Sequence, residues 1–489
     1  MANMKSLAKD TAVYGLSSIV GRCLNYLLVP IYTAKMAAGD GGYGIITNVY
    51  AVTALILVLL TFGMETTFFR FATKAGERPE RVFSTAFIAV AGVSALFVLL
   101  VLLALTPLST FMGYGDHRQY VWVMAVAVAA DAMRAMPFAY LRQQKKALKF
   151  AGLQLFNIVL TIILNLVYYV ALDGHDPGYA FYINCLCSIV LLCCVYKEIA
   201  NVRFGFSLPL FRRMLVYAWP IAVLGIAGIL NQVADKILFP YIYKAPDAQM
   251  QLGIYGACVK IAMIMAMITQ AFRYAYEPFV FNNSRTGERS ADQRQSENDR
   301  MQAQAMKYFL IFTLLAFLCV AGWIDVLRYI IGRDYWEGLQ VVPIVMAAEI
   351  MMGIYFNLSF WYKLEDKTGW GAIFSGIGCA VLLAVNFIFV PVYGYRACAW
   401  AGFAGYATAM TLSYVVGQHY HPIDYPVRDL LQYVGVALVL YLCMTVARHS
   451  LPFWGALLLN TLLILLFTAL IVKKDFPLSS LPLIGKRFK

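Results

Sequence analysis

Charged residues are scarce in this sequence. Only 13% of its 489 residues are Asp, Glu, Lys or Arg, whereas 61% are hydrophobic. Soluble domains carry about 25% charged and about 45–50% apolar residues, so the composition excludes a soluble domain. It also excludes a disordered chain, because disordered chains have low hydrophobicity. A membrane helix takes ~20 apolar residues, and the chain has room for more than a dozen of them.

Signals for metal, redox and nucleotide chemistry are also lacking. None of the ten cysteines forms a Cys-x-x-Cys pair, and the five histidines lie at or near predicted loops, so we expect no metal site and no cofactor. There is no Walker motif, which argues against direct driving by ATP. No predicted outward loop is long enough to carry the catalytic acids of a membrane glycosyltransferase or polymerase, so we do not expect an enzyme.

Long apolar runs separated by polar turns predict an all-α polytopic membrane protein. The runs are too long for barrel strands, which need ~9–11 residues, and helices satisfy every backbone group internally. We predict about fourteen transmembrane helices, near residues 11–34, 43–66, 82–106, 119–138, 150–172, 178–199, 214–243, 252–281, 305–332, 337–362, 369–391, 396–418, 428–448 and 452–473.

The distribution of Lys and Arg predicts the orientation. Loops that follow even-numbered helices are basic, whereas loops that follow odd-numbered helices carry about one basic residue each. By the positive-inside rule, both termini lie in the cytoplasm. The formal net charge of +13 is then explained by basic loops that face anionic lipid, and nucleic acid is not an expected partner.

An internal repeat divides the predicted helices. Tyr43-Gly44 and Tyr255-Gly256 lie 212 residues apart, and Glu65 matches Glu277 at the same offset. Because each copy holds six helices, the two copies share one orientation and form a parallel repeat. We predict a six-helix bundle over 1–200, a cytoplasmic linker over 201–213, a second six-helix bundle over 214–418, and two additional helices with a basic tail over 419–489. The polar stretch 282–304 is expected to be a solvated connector.

Charged side chains inside the predicted helices are candidate functional residues, because a charge in hydrocarbon costs roughly 2.5–3.5 kcal/mol. Two pairs have the spacing of structural ion pairs on one helix face: Asp131 with Arg134, and Asp325 with Arg328. The other candidates are Arg22, Lys236, Lys260, Arg273, Asp235 and Glu349. Of these, Arg22, Lys260 and Glu349 have no local partner, whereas snorkelling to the cytoplasmic interface is an alternative for Arg273. Adjacent residues on a helix point about 100° apart, so Asp235 and Lys236 are expected to pair poorly with each other.

The excess of cations among these residues predicts an anionic substrate. We expect Arg22, Lys236, Lys260 and Arg273 to bind it in a water-filled central cavity between the two bundles. Low-dielectric walls strengthen the attraction of anions, and Arg and Lys both recognise phosphate. The expected substrate is a large or amphiphilic phosphate or diphosphate. Asp235 or Glu349 is expected to bind a coupling ion, H⁺ or Na⁺.

Several short motifs carry a resemblance to a known family: Tyr14-Gly15, Pro30, Tyr43-Gly44, Phe62 to Phe71, and Asn231 to Lys236. With them the sequence resembles the Wzx-type (O-antigen) oligosaccharide flippases of the multidrug/oligosaccharidyl-lipid/polysaccharide exporter superfamily. In architecture the resemblance covers essentially the whole chain, and it implies a V-shaped pair of bundles around a cationic cavity. Fourteen helices match the lipid II flippase branch and some exporters, whereas many Wzx-type members are read with twelve.

The resemblance implies a function as well. Such flippases move undecaprenyl-diphosphate-linked oligosaccharide across the bacterial inner membrane by alternating access, for lipopolysaccharide and other surface polysaccharides. The implied partners are this lipid-linked oligosaccharide, membrane lipids, a polysaccharide polymerase and glycosyltransferases. The alternative is a cation-coupled multidrug or small-solute antiporter of the same superfamily, for which we expect a predominantly acidic cavity. A scramblase or a structural partner protein is a further alternative.

Overall fold

The computed structural model describes residues 26–73, 77–200, 205–283, 291–364, 367 and 369–475. The described residues form nineteen α-helices: α1 Leu28–Lys35, α2 Gly42–Thr61, α3 Met64–Ala72, α4 Pro79–Leu103, α5 Leu105–Phe111, α6 Arg118–Gln143, α7 Ala147–Leu166, α8 Gly178–Cys194, α9 Tyr196–Ile199, α10 Leu208–Ile242, α11 Ala248–Asn283, α12 Ala291–Gly322, α13 Ile324–Leu327, α14 Val342–Leu358, α15 Phe360–Leu364, α16 Gly369–Tyr393, α17 Tyr395–Tyr420, α18 Val427–Ser450 and α19 Phe453–Lys474.

Many of these helices suit a membrane. Among the described residues, eleven helical segments are long and apolar enough to cross a bilayer, and Gly178–Cys194 is a shorter apolar helix. The predicted all-α membrane class is therefore confirmed. The number of fourteen transmembrane helices stays a prediction, and most of the first one, 11–34, falls outside the described residues.

The polar stretch at 282–304 is helical over much of its length. Helix α12 already begins at Ala291 and continues without a break to Gly322, and the solvated connector stays a prediction. Residues 291–304 include four Gln, two Ala and two Arg, which are good helix formers. They therefore lengthen the apolar helix that follows them.

Two residues with left-handed backbone angles interrupt the helix predicted over 43–66. Phe62 and Gly63 adopt positive φ angles of 30° and 73°, so α2 ends at Thr61 and α3 begins at Met64. Glycine populates this left-handed region readily, which explains its place in the motif. After this break, Met64 and Phe68 on α3 are both fully buried in a hydrophobic core.

By its internal contacts the chain divides into two compact units. The first unit is Met1–Ala257 with Leu383–Cys398, and the second is Cys258–Leu382 with Ala399–Lys489. In the first unit, α6 packs against α2, α4 and α8. The predicted boundaries after residues 200, 213 and 418 stay a prediction.

The repeated Tyr-Gly pairs have a clear packing role in the first unit. A Cβ atom on Gly44 would lie 1.9 Å from the backbone oxygen of Gln249, and one on Gly256 would lie 2.3 Å from Oγ1 of Thr47. No side chain fits in either place, because such contacts are far below van der Waals distance. Gly44 thus lets α2 lie against the backbone of α11, and Gly256 makes room on α11 for the Thr47 side chain.

The last two helices belong to the second unit, where α12 packs against α14, α18 and α19. Near the middle of α12, Lys307 forms ion pairs with Asp475 and, at 3.1 Å, with Asp429. Beyond its C-terminal end, Nε of Arg448 lies 2.8 Å from Oδ2 of Asp325. Ionic contacts therefore attach α18 and α19 to the rest of the unit at two separate positions, one near each end of α18.

Candidate functional site

The second unit contains a pocket with a polar and aromatic lining. Helix α11 contributes four residues at the spacing of one helical face, and α14 with α15 contributes five more at intervals of three residues or fewer. Its cavity volume is about 10 Å³, which is room for about one water molecule. Its lining residues are Thr269, Phe272, Arg273, Tyr276, Phe309, Gly353, Phe356, Asn357, Phe360 and Lys363.

Helix α14 approaches α12 closely at Gly353. A Cβ atom there would lie 2.1 Å from Cζ of Phe309 and 3.2 Å from Cγ2 of Thr269. Phe309, on α12, is almost completely buried, so its ring cannot easily move aside. The glycine therefore allows the Phe309 ring to lie against the backbone of α14 and form one wall of the pocket.

Aromatic rings form the remaining apolar surface. The Phe272 ring lies 4.9 Å from Phe309 and 5.3 Å from Tyr276, measured between centroids. Tyr276 in turn packs edge-on against Phe360 at 5.2 Å. Contacts of this kind contribute about 0.5–1.5 kcal/mol each beyond the area that they bury, so the rings form a well-defined framework.

Two cations lie on this aromatic framework. The guanidinium carbon of Arg273 is 5.0 Å from the centroid of the Phe356 ring, and the Lys363 ammonium is 5.1 Å from that of Phe360. A cation over an aromatic face is held without losing its charge. Arg273 is exposed and Lys363 is half-buried, so both charges can act on a ligand that approaches the pocket.

Two buried polar groups also line the pocket. The side chains of Thr269 and Asn357 are only 5% and 4% exposed, and Oγ1 of Thr269 and Oδ1 of Asn357 have no hydrogen-bond partner. The Asn357 amide nitrogen donates to the Gly353 carbonyl oxygen at 3.1 Å, which leaves its oxygen as the unsatisfied acceptor. A buried polar atom without a partner costs about 1–3 kcal/mol, so these two atoms call for a ligand or water.

The predicted substrate-binding residues are distributed over both units. Arg273 lines the pocket of the second unit, and Lys260 lies on the same helix outside the lining. Lys236 lies on α10 in the first unit. Arg22 falls outside the described residues, and the predicted central cavity stays a prediction.

The expectation that Asp235 and Lys236 pair poorly is wrong. The Lys236 ammonium donates to both carboxylate oxygens of Asp235 at 3.0 Å, and the Tyr255 hydroxyl donates to the same carboxylate at 2.7 Å. The 100° separation of adjacent residues applies to their Cβ atoms. The long, flexible Lys stem bends back far enough to overcome it.

The structure also shows the contacts of the predicted ion pairs and the position of Glu349. Arg134 donates to Asp131 at 2.7 Å on α6. Arg328 approaches Asp325 only to 3.7 Å, and Arg448 reaches the same carboxylate more closely. Glu349 is half-buried on α14, the helix that carries Gly353, and is not part of the pocket lining.

Sequence reasoning missed most of the pocket. Lys363 counts there only as a basic loop residue, and the aromatic residues cannot be singled out among 32 phenylalanines and 32 tyrosines. A signal is nevertheless present. The i, i+3, i+4, i+7 pattern of one helical face is present at Thr269, Phe272, Arg273 and Tyr276. This face therefore carries a cation, two hydroxyl groups and a phenyl ring side by side.

The long apolar helices define a multi-span membrane protein. The family model described as "Polysaccharide biosynthesis protein" matches residues 7–276, more than half of the chain. The chain therefore belongs to the polysaccharide biosynthesis protein family, which is a family of transporters. No curated protein sequence matches it.

Solved structures show the same fold. The lipid II flippase MurJ in an inward closed conformation is 14% identical with a TM-score of 0.69, and the match covers 95% of this chain and 99% of that one. An inward-facing multidrug resistance MATE family transporter of the MOP superfamily is 14% identical with a TM-score of 0.59, over 81% of this chain and 94% of that one. At these identities the similarity shows the fold alone.

Proposed function

We propose that the protein is a flippase that moves undecaprenyl-diphosphate-linked oligosaccharides across the bacterial inner membrane by alternating access, for biosynthesis of O-antigen or another surface polysaccharide. The observation that carries the proposal is the pair of cations, Arg273 and Lys363, on the aromatic pocket of the second unit. Membership of the polysaccharide biosynthesis family supports a saccharide cargo. The fold shared with a lipid II flippase supports a lipid-linked one.

The chemistry of the pocket suits a phosphate at its rim. The planar guanidinium of Arg273 can bind two phosphate oxygens at once, and the Lys363 ammonium supplies a compact second charge. Hydrogen bonds between charged groups contribute about 1.5–3 kcal/mol each. Among the lining residues there is no carboxylate to oppose an anion.

A carboxylate binds the coupling ion, H⁺ or Na⁺, in this proposal. The candidates are Asp235 on α10, which contacts Lys236 and Tyr255, and Glu349 on α14. The protein works with both termini in the cytoplasm. Its partners are the lipid-linked oligosaccharide, membrane lipids, a polysaccharide polymerase and glycosyltransferases.

Flipping in proteoliposomes tests the assignment. We expect Arg273→Ala and Lys363→Ala each to slow the movement of an undecaprenyl-diphosphate-linked saccharide by about tenfold or more, because each removes one charged contact. Lys367→Ala is the matched control, since this lysine is four residues after Lys363 in the sequence, lies over Tyr420 and does not line the pocket. Rates that stay at the wild-type value in both pocket variants would remove the site.

A cation-coupled multidrug antiporter is the second candidate, because the fold is also that of multidrug resistance MATE transporters. Such a protein binds cationic drugs, which the Arg273 and Lys363 charges would repel. Expression in a drug-sensitive strain separates the two functions. The flippase predicts no rise in resistance to cationic drugs, whereas the antiporter predicts a rise that depends on the coupling ion.

A further inference from the structure

We infer that the cavity in the second unit is a binding site for a single water molecule, which links α11 to α14 by hydrogen bonds. The inference goes beyond the proposed function, because it concerns a component of the protein itself and holds for any cargo. It gives Thr269, Tyr276 and Asn357 one shared partner. All three residues line the cavity, and each has a buried oxygen that forms no hydrogen bond with any described residue.

The size of the cavity limits the size of its ligand. The volume is about 10 Å³, and a single water molecule needs roughly 10–15 Å³. A phosphate group or a sugar ring is too large to enter. Arg273 and Lys363 can therefore bind a phosphate only at the rim, and the interior is left to water.

Asn357 can be compared with a similar asparagine in the first unit. The amide nitrogens of Asn165 and Asn357 each donate to the carbonyl oxygen four residues earlier, at 2.7 and 3.1 Å. Oδ1 of Asn165 then accepts a hydrogen bond from the hydroxyl of Tyr32 at 2.7 Å, whereas Oδ1 of Asn357 has no partner within the described chain. A water that accepts from the Tyr276 hydroxyl and donates to Oδ1 of Asn357 satisfies both oxygens.

Thr269 differs in a similar way from other threonines of the apolar helices. The hydroxyls of Thr53 and Thr313 donate to the carbonyl oxygen four residues earlier, at 2.7 and 2.9 Å, which is a common arrangement for threonine in a helix. The Thr269 hydroxyl makes no such bond. A Cβ atom on Gly353 would lie 3.2 Å from Cγ2 of Thr269, so this side chain lies against α14, one turn before Asn357.

The charges around the cavity favour water over a metal ion. Hydroxyl and amide oxygens also suit a small cation such as Na⁺. Arg273 and Lys363 share the lining, however, and none of the lining residues is a carboxylate. A cation would be repelled by two positive charges with no negative charge to compensate. Water is neutral, and it donates and accepts hydrogen bonds, as two hydroxyls and one amide oxygen require.

The number of polar atoms also matches a buried water, which typically makes about three hydrogen bonds. Thr269 and Tyr276 lie on α11 and Asn357 lies on α14, so these bonds connect the two helices. Loss of the water would leave three buried oxygens unsatisfied, which is unfavourable. We therefore expect a water that stays in the cavity much longer than water at the protein surface.

Hydroxyl-radical footprinting of the full-length protein in nanodiscs tests the site. A short X-ray pulse converts water to hydroxyl radicals, which oxidise side chains next to the water from which they form. Phe309 is only 1% exposed, but it lines the cavity. We expect it to be oxidised about fivefold or more faster than Phe68, which is fully buried in an apolar core and has no polar cavity to hold water.

The variants Thr269→Val and Asn357→Leu keep the approximate size of the side chains and remove the oxygens. Combined in one protein, they should reduce the oxidation of Phe309 to the rate of Phe68, because two of the three partners of the water are gone. Thr313→Val is the matched control. Thr313 is buried on α12 outside the lining, and its hydroxyl donates to the Phe309 carbonyl at 2.9 Å, so this variant should keep the wild-type rate.

Three results would overturn the water site. The first is that Phe309 in the wild-type protein is oxidised no faster than Phe68, which is decided without any variant. The second is a wild-type rate in the combined variant, which would show that the two oxygens do not hold the water. The third is a rate that changes when choline replaces Na⁺, which would assign the cavity to a cation. Movement of lipid-linked saccharide tests the proposed function separately, and none of these results bears on it.

Discussion

The two units each carry polar side chains among apolar helices, and the two clusters differ in how completely they are hydrogen bonded. In the first unit, Asp235 accepts bonds from Lys236 and Tyr255, and the Lys236 ammonium donates also to the Gln232 carbonyl. In the second unit, Thr269 and Asn357 retain oxygens without partners. The charged groups of the first cluster (the closed cluster) are hydrogen bonded to its own residues. The second (the open cluster) has two oxygens that still need a hydrogen-bond partner, such as water or a ligand.

This difference separates two uses of intramembrane polarity. A buried charge that is fully paired stabilises a helix contact, and removal of one partner leaves the other charge uncompensated. A buried polar atom without a partner destabilises the empty pocket, and a ligand that satisfies it recovers that energy on binding. Charge alone thus does not identify a binding residue. It is also necessary to know whether the group is already paired or hydrogen bonded within the protein.

The largest expected effect is on the closed cluster. Asp235→Ala should lower the free energy of unfolding by about 3 kcal/mol or more, because it leaves the Lys236 ammonium in a mostly buried position without its carboxylate. The measurement is chemical unfolding of the full chain in detergent. The double variant Asp235→Asn with Lys236→Met removes both charges and should regain most of the loss.

A double variant as unstable as Asp235→Ala alone would contradict the pairing. It would mean that the carboxylate acts through contacts other than those with Lys236. Arg273→Ala provides the comparison from the open cluster. Arg273 is exposed and lies over the Phe356 ring, so its removal should lower the unfolding free energy by about 1 kcal/mol, less than Asp235→Ala, while weakening anion binding.

A smaller effect is expected at the closest contact of the open cluster. Gly353→Ala places a methyl group where the Phe309 ring now lies, and overpacking of this kind costs about 1–3 kcal/mol. Because the displaced ring is a wall of the pocket, lipid diphosphate binding should fall as well. Both quantities can be measured by thermal unfolding with and without the lipid.

The variant Gly353→Ala with Phe309→Leu supplies the control. Leu lacks the ring atoms that meet the new methyl group, so the double variant should recover stability relative to Gly353→Ala. Recovery of stability without recovery of binding would assign the ring itself to the ligand. No recovery of either quantity would show that the glycine is needed for a contact other than the one with Phe309.

The sequence predicts the helices better than it predicts the contacts between them. Apolar runs located α4 and α10 within a few residues, because the period and length of such runs reflect the bilayer directly. The break at Phe62 and Gly63 was missed, since a glycine within an apolar run is compatible with either a helix or a turn. Only the backbone angles distinguish the two.

For the candidate site, there is a physical reason why some residues could be predicted from the sequence and others could not. Arg273 could be predicted because a charge inside an apolar segment is unusual in itself. Lys363 could not, because a lysine at the end of a helix is normally explained by topology. Whether a polar group such as Asn357 is satisfied depends on residues distant in sequence, and a single sequence does not state which ones those are.

The smallest effect is expected for an ion pair outside the membrane-spanning helices. Lys35 forms an ion pair with Asp173 in the loop after α7, and its hydrogen bond and charge lower the pKa of the Asp173 carboxyl. A lowered pKa contributes stability that is present above the ordinary value of about 3.9 and is lost as the pH falls through the folded-state value.

Because Asp173 is exposed, this contribution should be far smaller than that of the Asp235 cluster. We expect Asp173→Asn to lower the midpoint of thermal unfolding slightly at pH 7, and to have no effect at a pH below the folded-state pKa, where wild type also lacks the charge. Added salt should reduce the difference at pH 7, since exposed pairs are screened. A decrease as large as that of Asp235→Ala would show that solvent exposure does not separate the two kinds of pair, and the contrast between closed and open polar groups would then need a cause other than burial.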